Sequence, residues 1–112
     1  MDSKQALCEP CTSGSLILAD QELDAHLGDL ENWAVAERDG IKQLLKVYPF
    51  QNYTLALEFT NRLALLAESE GHHPAILLEW GRVEVRWWTH KIKGLHRNDV
   101  IMATKTDELV TL

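Results

Sequence analysis

The residues best suited to chemistry are histidines that follow a predicted helix. His72 and His73 are adjacent and precede Pro74, and His90 comes later in the chain. Histidine accepts and donates protons near neutral pH because its ordinary pKa is about 6.5. A loop before a proline can aim both adjacent rings into one pocket, whereas a strand would send them to opposite faces. The pattern therefore suits coupled acid and base catalysis. The alternative is that one ring caps the end of the helix and the other is exposed.

Metal binding and nucleophilic catalysis are the competing kinds of chemistry. Glu68 and the three histidines are credible zinc ligands, but the chain has no H-E-x-x-H helix and no second Cys or His cluster at ligand spacing. Cys8 and Cys11 form a lone C-x-x-C, and a structural zinc site needs about four ligands. The only serine near the histidines is Ser69. We therefore predict a site without metal, and the role of the two cysteines stays open.

The elements that must position these histidines begin with a helix and a hairpin. Asp20 can cap a helix whose leucines recur at helical spacing. They are Leu23, Leu27 and Leu30. Two strand-like runs, 33–38 and 41–48, are joined by Asp39-Gly40, a pair that favours a type I′ turn because both positions take positive φ. Lysines on one face of the second run predict that this face is partly wet.

The second half of the chain continues with a helix, a hairpin and a last helix. Asn52 can cap a helix that runs to about Gly71. Its apolar stripe consists of Leu55, Phe59, Leu63 and Leu66. A second hairpin comprises residues 76–80 and 83–90, and the last helix begins near Asn98. This order predicts an α+β fold in which three helices pack on one face of a four-stranded antiparallel sheet.

Composition and charge narrow the organisation and the partners. The chain has 112 residues, 46% of them hydrophobic, and a formal net charge of -6. We predict an irregular extension over residues 1–19 and one folded domain over residues 20–112. The sequence has no basic stripe, so we expect no nucleic-acid partner. It has neither a signal-like amino terminus nor an apolar run near the roughly 20 residues that span a bilayer, so we expect a cytoplasmic protein with no membrane partner. A small domain gains apolar burial from a shared interface, so a homo-oligomer is expected.

The spacing of the chemically suited residues resembles the signature of the pterin-4a-carbinolamine dehydratase family. The motif reads Glu68, three residues, His72-His73-Pro74, five residues, Trp80, nine residues, His90, eight residues, Asp99. Fixed residue types at fixed gaps over 32 positions make chance agreement rare. The similarity of layout extends over roughly residues 20–109 and leaves out the tail with the two cysteines.

The resemblance implies a site and a reaction. His72, His73 and His90 would line the pterin site and move the protons, while Glu68 and Asp99 would lie next to the imidazoles and fix their tautomers. The reaction would remove water from 4a-hydroxytetrahydrobiopterin and give the quinonoid dihydropterin, with no cofactor. It would serve tetrahydrobiopterin recycling for aromatic amino acid hydroxylation, with the pterin as the small-molecule partner.

Other interpretations of the acidic residues stay open. Glu68 could be a solvated charge at the helix end, and Asp99 could be a first-turn acid that faces the helix dipole. His96 stands where a small hydroxyl residue would form a capping box with Asp99, which puts that cap in doubt.

The rival function is a non-enzymatic binding or regulatory module, because animal relatives are also dimerisation cofactors of a transcription factor. A complete set of motif histidines favours the enzyme. The sequence leaves open which pterin side chain is used, whether the assembly is a dimer or a tetramer, which histidine is the acid, and whether a regulatory partner exists.

Overall fold

The helices and strands follow the predicted order. The structure is a computed structural model that describes residues 18–28 and 30–110. Within these residues the elements are α1 (Asp20–Leu27), β1 (Ala34–Arg38), β2 (Ile41–Pro49), α2 (Tyr53–Glu70), β3 (Ala75–Glu79), β4 (Arg82–Trp87) and α3 (Arg97–Val110). The predicted extension lies, over residues 1–17, outside the described residues, together with Cys8 and Cys11. No helix in the described part of the chain has the length and apolarity needed to cross a membrane.

The strands form one antiparallel sheet in the order β1-β2-β4-β3. The first hairpin turns at Asp39 and Gly40, whose φ angles of 54° and 79° are those a type I′ turn requires. The second hairpin turns at Trp80 and Gly81, one residue earlier than predicted, because Arg82 is already paired in β4. The predicted fold class, an α+β fold with three helices and a four-stranded antiparallel sheet, is confirmed.

The helices cover the face of the sheet that carries the lysines of β2. Buried side chains on this face are Leu44, Tyr48, Val83, Val85 and Trp87. Lys42, near the start of β2, is exposed as predicted, but the side chain of Lys46 is only 15% exposed. Its ammonium reaches Asp107 Oδ1 at 2.8 Å and the Glu31 carbonyl at 3.1 Å. A lysine on a strand is therefore compatible with the covered face when its charge has a partner at the rim.

The long helix α2 buries four residues in the core. It begins at the predicted cap, where the Asn52 side chain accepts a hydrogen bond from the Leu55 N–H at 2.9 Å. Its buried residues are Ala56, Phe59, Leu63 and Ala67. Leu55 was predicted to face the core but is 40% exposed. The predicted stripe is displaced because two of the core-facing residues are small alanines, which contribute little to an apolar pattern.

The first helix differs from the prediction at both ends. The N-cap of α1 is Ala19, without a side-chain cap, so the predicted cap at Asp20 is wrong. The helix ends at Leu27, before Leu30. Leu23 and Leu30 are nevertheless both only 5% exposed. The leucines therefore reach the core as expected, one from the helix and one from the segment that follows it.

Polar contacts tie α3 to the rest of the domain. Lys105 forms an ion pair with Glu70 at the carboxyl end of α2. Further along α3, the Asp107 carboxylate accepts hydrogen bonds from the side chains of Trp33, Lys46 and Tyr48. Burial, together with the neighbouring Asp107 carboxylate, raises the pKa of the Tyr48 hydroxyl well above its ordinary value. These contacts fix α3 against α2 and β2, and α3 carries one of the motif acids.

Candidate active site

His72 is positioned by the way α2 ends. The terminating residue, Gly71, has a φ of 64°, a left-handed conformation that glycine adopts without a Cβ clash. The Gly71 N–H bonds the Glu68 carbonyl at 3.2 Å and the His72 N–H bonds the Ala67 carbonyl at 3.1 Å, which is the Schellman arrangement. This ending turns His72 into the protein, where it is only 8% exposed.

Asp99 is positioned by the start of α3. The His96 N–H donates to Asp99 Oδ2 at 2.9 Å, and the Asn98 N–H donates to His96 Nδ1 at 3.0 Å. The two side chains thus form a reciprocal cap similar to a capping box, except that an imidazole nitrogen replaces the hydroxyl oxygen and accepts from Asn98, the second helical residue, instead of the third. The cap that His96 put in doubt therefore exists. Both interpretations of Asp99 describe its position, because it is a first-turn acid of α3 and also reaches a motif histidine.

The buried pair of His72 and Asp99 is the centre of the site. His72 Nε2 lies 2.7 Å from Asp99 Oδ1, and Asp99 is 0% exposed. Because an ionised carboxylate only accepts hydrogen bonds, the proton of the neutral ring is on Nε2, and Nδ1 is the nitrogen that Asp99 does not engage. The ring also stacks on Trp87, with centroids 5.6 Å apart and planes at 24°. The carboxylate and the indole together fix both the tautomer and the plane of this imidazole.

The adjacent histidine has a different environment from the one expected. His73 is exposed, with 59% of its side chain accessible, and its Nε2 lies 3.5 Å from Glu68 Oε1. The two adjacent rings thus differ in environment, because His72 turns inward and His73 turns outward, and the expectation that both line one pocket stays a prediction. Glu68 lies beside His73 and its side chain is 80% exposed. A contact this exposed contributes little to stability.

His90 lies against the loop that carries His72 and His73. It was predicted to end the fourth strand, but β4 ends at Trp87 and His90 opens a single 3-10 turn, His90–Ile92. Its Nε2 lies 3.1 Å from the His73 carbonyl, so Nε2–H donates and Nδ1 is left for other contacts. The ring stacks on Trp88 with centroids 4.4 Å apart and planes at 25°. The structure thus brings His90 to the loop that carries the other two histidines.

One buried residue of the site was not predicted. Thr89 is 2% exposed, and its hydroxyl donates to Asp99 Oδ2 at 2.9 Å. A threonine next to a motif histidine is the only sequence signal, and it does not reveal the partner. The contact depends on how α3 lies against the end of β4, which no local pattern specifies.

The arrangement can transfer protons between a ligand and imidazole nitrogens. His72 offers a ring nitrogen whose opposite edge is held by a buried carboxylate, and His73 and His90 offer exposed rings. A carboxylate held in this way stabilises the positive charge that appears when the ring takes up a proton. Among residues 18–28 and 30–110, no group of three or more His, Cys, Asp or Glu side chains is arranged to hold a metal ion.

Comparison with known proteins shows which family the chain resembles. Residues 17–109 match the family model described as pterin 4 alpha carbinolamine dehydratase. A relative from Syntrophotalea carbinolica, named "Putative pterin-4-alpha-carbinolamine dehydratase", is 52% identical over 103 residues, which cover 92% of each chain.

Two solved structures share the fold. A transcriptional coactivator/pterin dehydratase from Brucella melitensis superposes with a TM-score of 0.75 at 29% identity, covering 84% of this chain and 98% of that one. A pterin dehydratase-like protein described as a RuBisCO assembly factor in the alpha-carboxysome gives a TM-score of 0.60 at 22% identity, covering 70% and 89%. At that identity the second likeness bears on the fold alone.

Proposed function

The chain belongs to the pterin 4 alpha carbinolamine dehydratase family, and from this premise we propose that it is a hydro-lyase that dehydrates 4a-hydroxytetrahydropterin by histidine acid and base catalysis. The catalytic residues proposed are His72, His73 and His90. Asp99 and Glu68 act through the imidazoles beside them. The product is the quinonoid dihydropterin, and we place the reaction in the recycling of tetrahydrobiopterin after aromatic amino acid hydroxylation.

The chemistry requires one proton to be given and one to be taken. The substrate carries a hydroxyl on C4a and a hydrogen on the neighbouring N5. A protonated imidazole gives its proton to the hydroxyl oxygen, the C4a–O bond breaks, and water leaves. The electron pair of the N5–H bond forms the C4a=N5 double bond while a neutral imidazole takes the N5 proton. Each such transfer contributes typically about 10²- to 10⁴-fold in rate.

The observation that carries the proposal is the hydrogen bond of 2.7 Å between His72 Nε2 and Asp99 Oδ1. A buried carboxylate on one ring nitrogen keeps the other nitrogen in a defined protonation state, which a general acid or base needs. His90 is also oriented through Nε2, here by the neutral His73 carbonyl at an exposed position. Two rings of the motif are therefore oriented by fixed acceptors rather than left to rotate.

The proposal is tested by assaying the purified protein with 4a-hydroxytetrahydropterin generated immediately before mixing. We expect the quinonoid dihydropterin to form faster than in buffer alone, in proportion to the amount of protein. His26→Ala, a change on α1 outside the motif, is the matched control and should leave the rate unchanged. A rate equal to that of buffer, from protein with a native melting transition, would refute the function.

We also infer that the protein works as a homo-oligomer. Tyr53, Leu57 and Leu65 lie on α2 away from its buried residues and are 47%, 39% and 73% exposed. Apolar side chains at helical spacing on an outer surface gain from burial against another copy. Sedimentation at micromolar concentration should give more than the mass of one chain, and Leu65→Glu should shift the distribution towards the monomer.

The rival role as a binding or regulatory module is not proposed for this chain. All three motif histidines are present, and their presence was the feature that distinguishes the enzyme from the binding role.

A further inference from the structure

Thr89 joins the two parts of the proposed site. Its side chain faces Asp99, to which the hydroxyl donates at 2.9 Å. Its backbone N–H donates to the Gly94 carbonyl at 2.8 Å, which closes the loop that contains the turn His90–Ile92. The same residue therefore touches the carboxylate that holds His72 and anchors the segment that carries His90.

These contacts form a closed ring. His72 Nε2 bonds Asp99 Oδ1, and Asp99 Oδ2 bonds Thr89 Oγ1. Thr89 is joined covalently to His90, whose Nε2 bonds the carbonyl of His73. His73 is joined covalently to His72, where the ring began. Three hydrogen bonds and two chain connections thus fix the two imidazoles relative to each other.

We propose that Thr89 is a positioning residue whose hydroxyl completes this ring, orients the Asp99 carboxylate and so holds the His72 imidazole relative to His90. The proposal deepens the dehydratase function and rests on it for its kinetic consequences. Thr89 is 2% exposed, so it acts through Asp99 and not by touching the pterin.

The hydroxyl matters because of how the carboxylate is shared. Oδ1 accepts from His72, and Oδ2 accepts from the Thr89 hydroxyl and from the His96 N–H at 2.9 Å. Without the hydroxyl, the His96 N–H is the single described donor that remains for Oδ2. The carboxylate can then rotate towards the His96 N–H and leave its line with His72 Nε2. A hydrogen bond weakens steeply once its angle at the hydrogen falls below about 120°, so such a rotation would weaken the bond to His72.

The test removes the hydroxyl and keeps the shape. Thr89→Val should lower kcat by about ten- to a hundredfold, as loss of a group that orients a reacting residue does. KM should change little because the residue is buried. Thr89→Ser, which restores a hydroxyl, should recover most of kcat. Thr104→Val is the matched control, because its hydroxyl bonds only the Val100 carbonyl within α3 among described groups and should be dispensable.

A spectroscopic measurement separates this proposal from the proposed function. Two-bond ¹H–¹⁵N correlations of the His72 ring should show the proton on Nε2 in the native protein and a mixture of tautomers in Thr89→Val. If the native protein lacks dehydratase activity, the function fails while this measurement still decides the positioning role. If Thr89→Val does not fold, Thr89→Cys against Thr89→Ser makes the same comparison, since a thiol is a weak donor. Native kcat together with a native His72 spectrum in the folded variant without the hydroxyl would overturn the proposal.

Discussion

Replacing Asp99 with asparagine should move the proton of His72 from one ring nitrogen to the other. The Asp99 carboxylate is 0% exposed and accepts hydrogen bonds from three described groups. The asparagine amide has the same shape but offers one acceptor oxygen and one donor nitrogen. Its orientation therefore decides which neighbour meets an N–H group instead of an oxygen.

The fixed donors decide that orientation. The His96 N–H belongs to the backbone and cannot become an acceptor, so the amide oxygen must occupy the position of Oδ2, where the Thr89 hydroxyl also donates. The amide nitrogen then faces His72 Nε2, which must give up its proton to accept. The His72 ring can do so by adopting the other neutral tautomer, with the proton on Nδ1, and Nδ1, the nitrogen left for the proposed proton transfer, then changes from acceptor to donor.

The expected size of the effect follows from these contacts. The loss in kcat should lie between about 10²-fold, the low end for losing a general acid or base, and the about 10⁴-fold that follows when an Asp→Asn change gives a triad histidine the wrong tautomer. Hydrogen bonds to a charge contribute about 1 kcal/mol more than neutral ones. Relief of the buried charge offsets part of this loss. A net destabilisation of about 1 kcal/mol lowers Tm by roughly 4–8 °C in a domain of this size.

The assay combines kcat, the Tm and the ¹⁵N tautomer of His72, with Asp107→Asn as the control. Asp107 lies on the same helix and also accepts from three described side chains, none of them a histidine. That variant should lose stability without a change in kcat or in the His72 tautomer. If Asp99→Asn lowers only the Tm and leaves the proton on Nε2, then Asp99 is merely the first-turn acid of α3 and the reasoning is refuted.

Three further predictions follow from the site and the core. His73→Ala and His90→Ala should each lower kcat by at least about a hundredfold while the circular dichroism stays native; near-native turnover in both would remove them from the mechanism. Dialysis against a chelator should leave activity intact, whereas loss that zinc restores would establish a metal enzyme. The raised pKa of Tyr48 means that its stabilisation is complete below the ordinary tyrosine pKa of about 10 and is lost as pH rises above it. Tyr48→Phe should therefore flatten the alkaline fall in Tm, and an equally steep fall in the variant would contradict this.

The fold could be predicted where a short run of residues favours one backbone conformation. Asp39-Gly40 takes positive φ at both positions, and Asn52 offers a side-chain acceptor to the first turn of α2. Such signals need only neighbours in the sequence. The first cap failed because Asp20 is a suitable residue in the wrong position, with Ala19 as the N-cap. Residue type allows a cap but does not force one.

The sequence grouped the candidate site residues, whose roles stay a prediction, but it did not predict which of them would contact one another. The motif spacing joined Asp99 to the histidines, and the structure brings it to His72. The same spacing did not show that Glu68 would lie beside His73, because the Schellman ending of α2 rotates the two rings apart. The contact of Thr89 with Asp99 depends on the packing of α3 against β4, which is set by the whole core.

The most direct test of the account compares the native protein with a variant in which His72, His73 and His90 are all alanine. Both would be treated with a chelator and assayed with freshly generated 4a-hydroxytetrahydropterin at equal concentration. We expect catalysed formation of the quinonoid dihydropterin by the native protein and a rate equal to that of buffer for the variant, provided its melting transition shows that it is folded. Substantial catalysis by the folded variant would contradict the claim that these histidines carry the reaction.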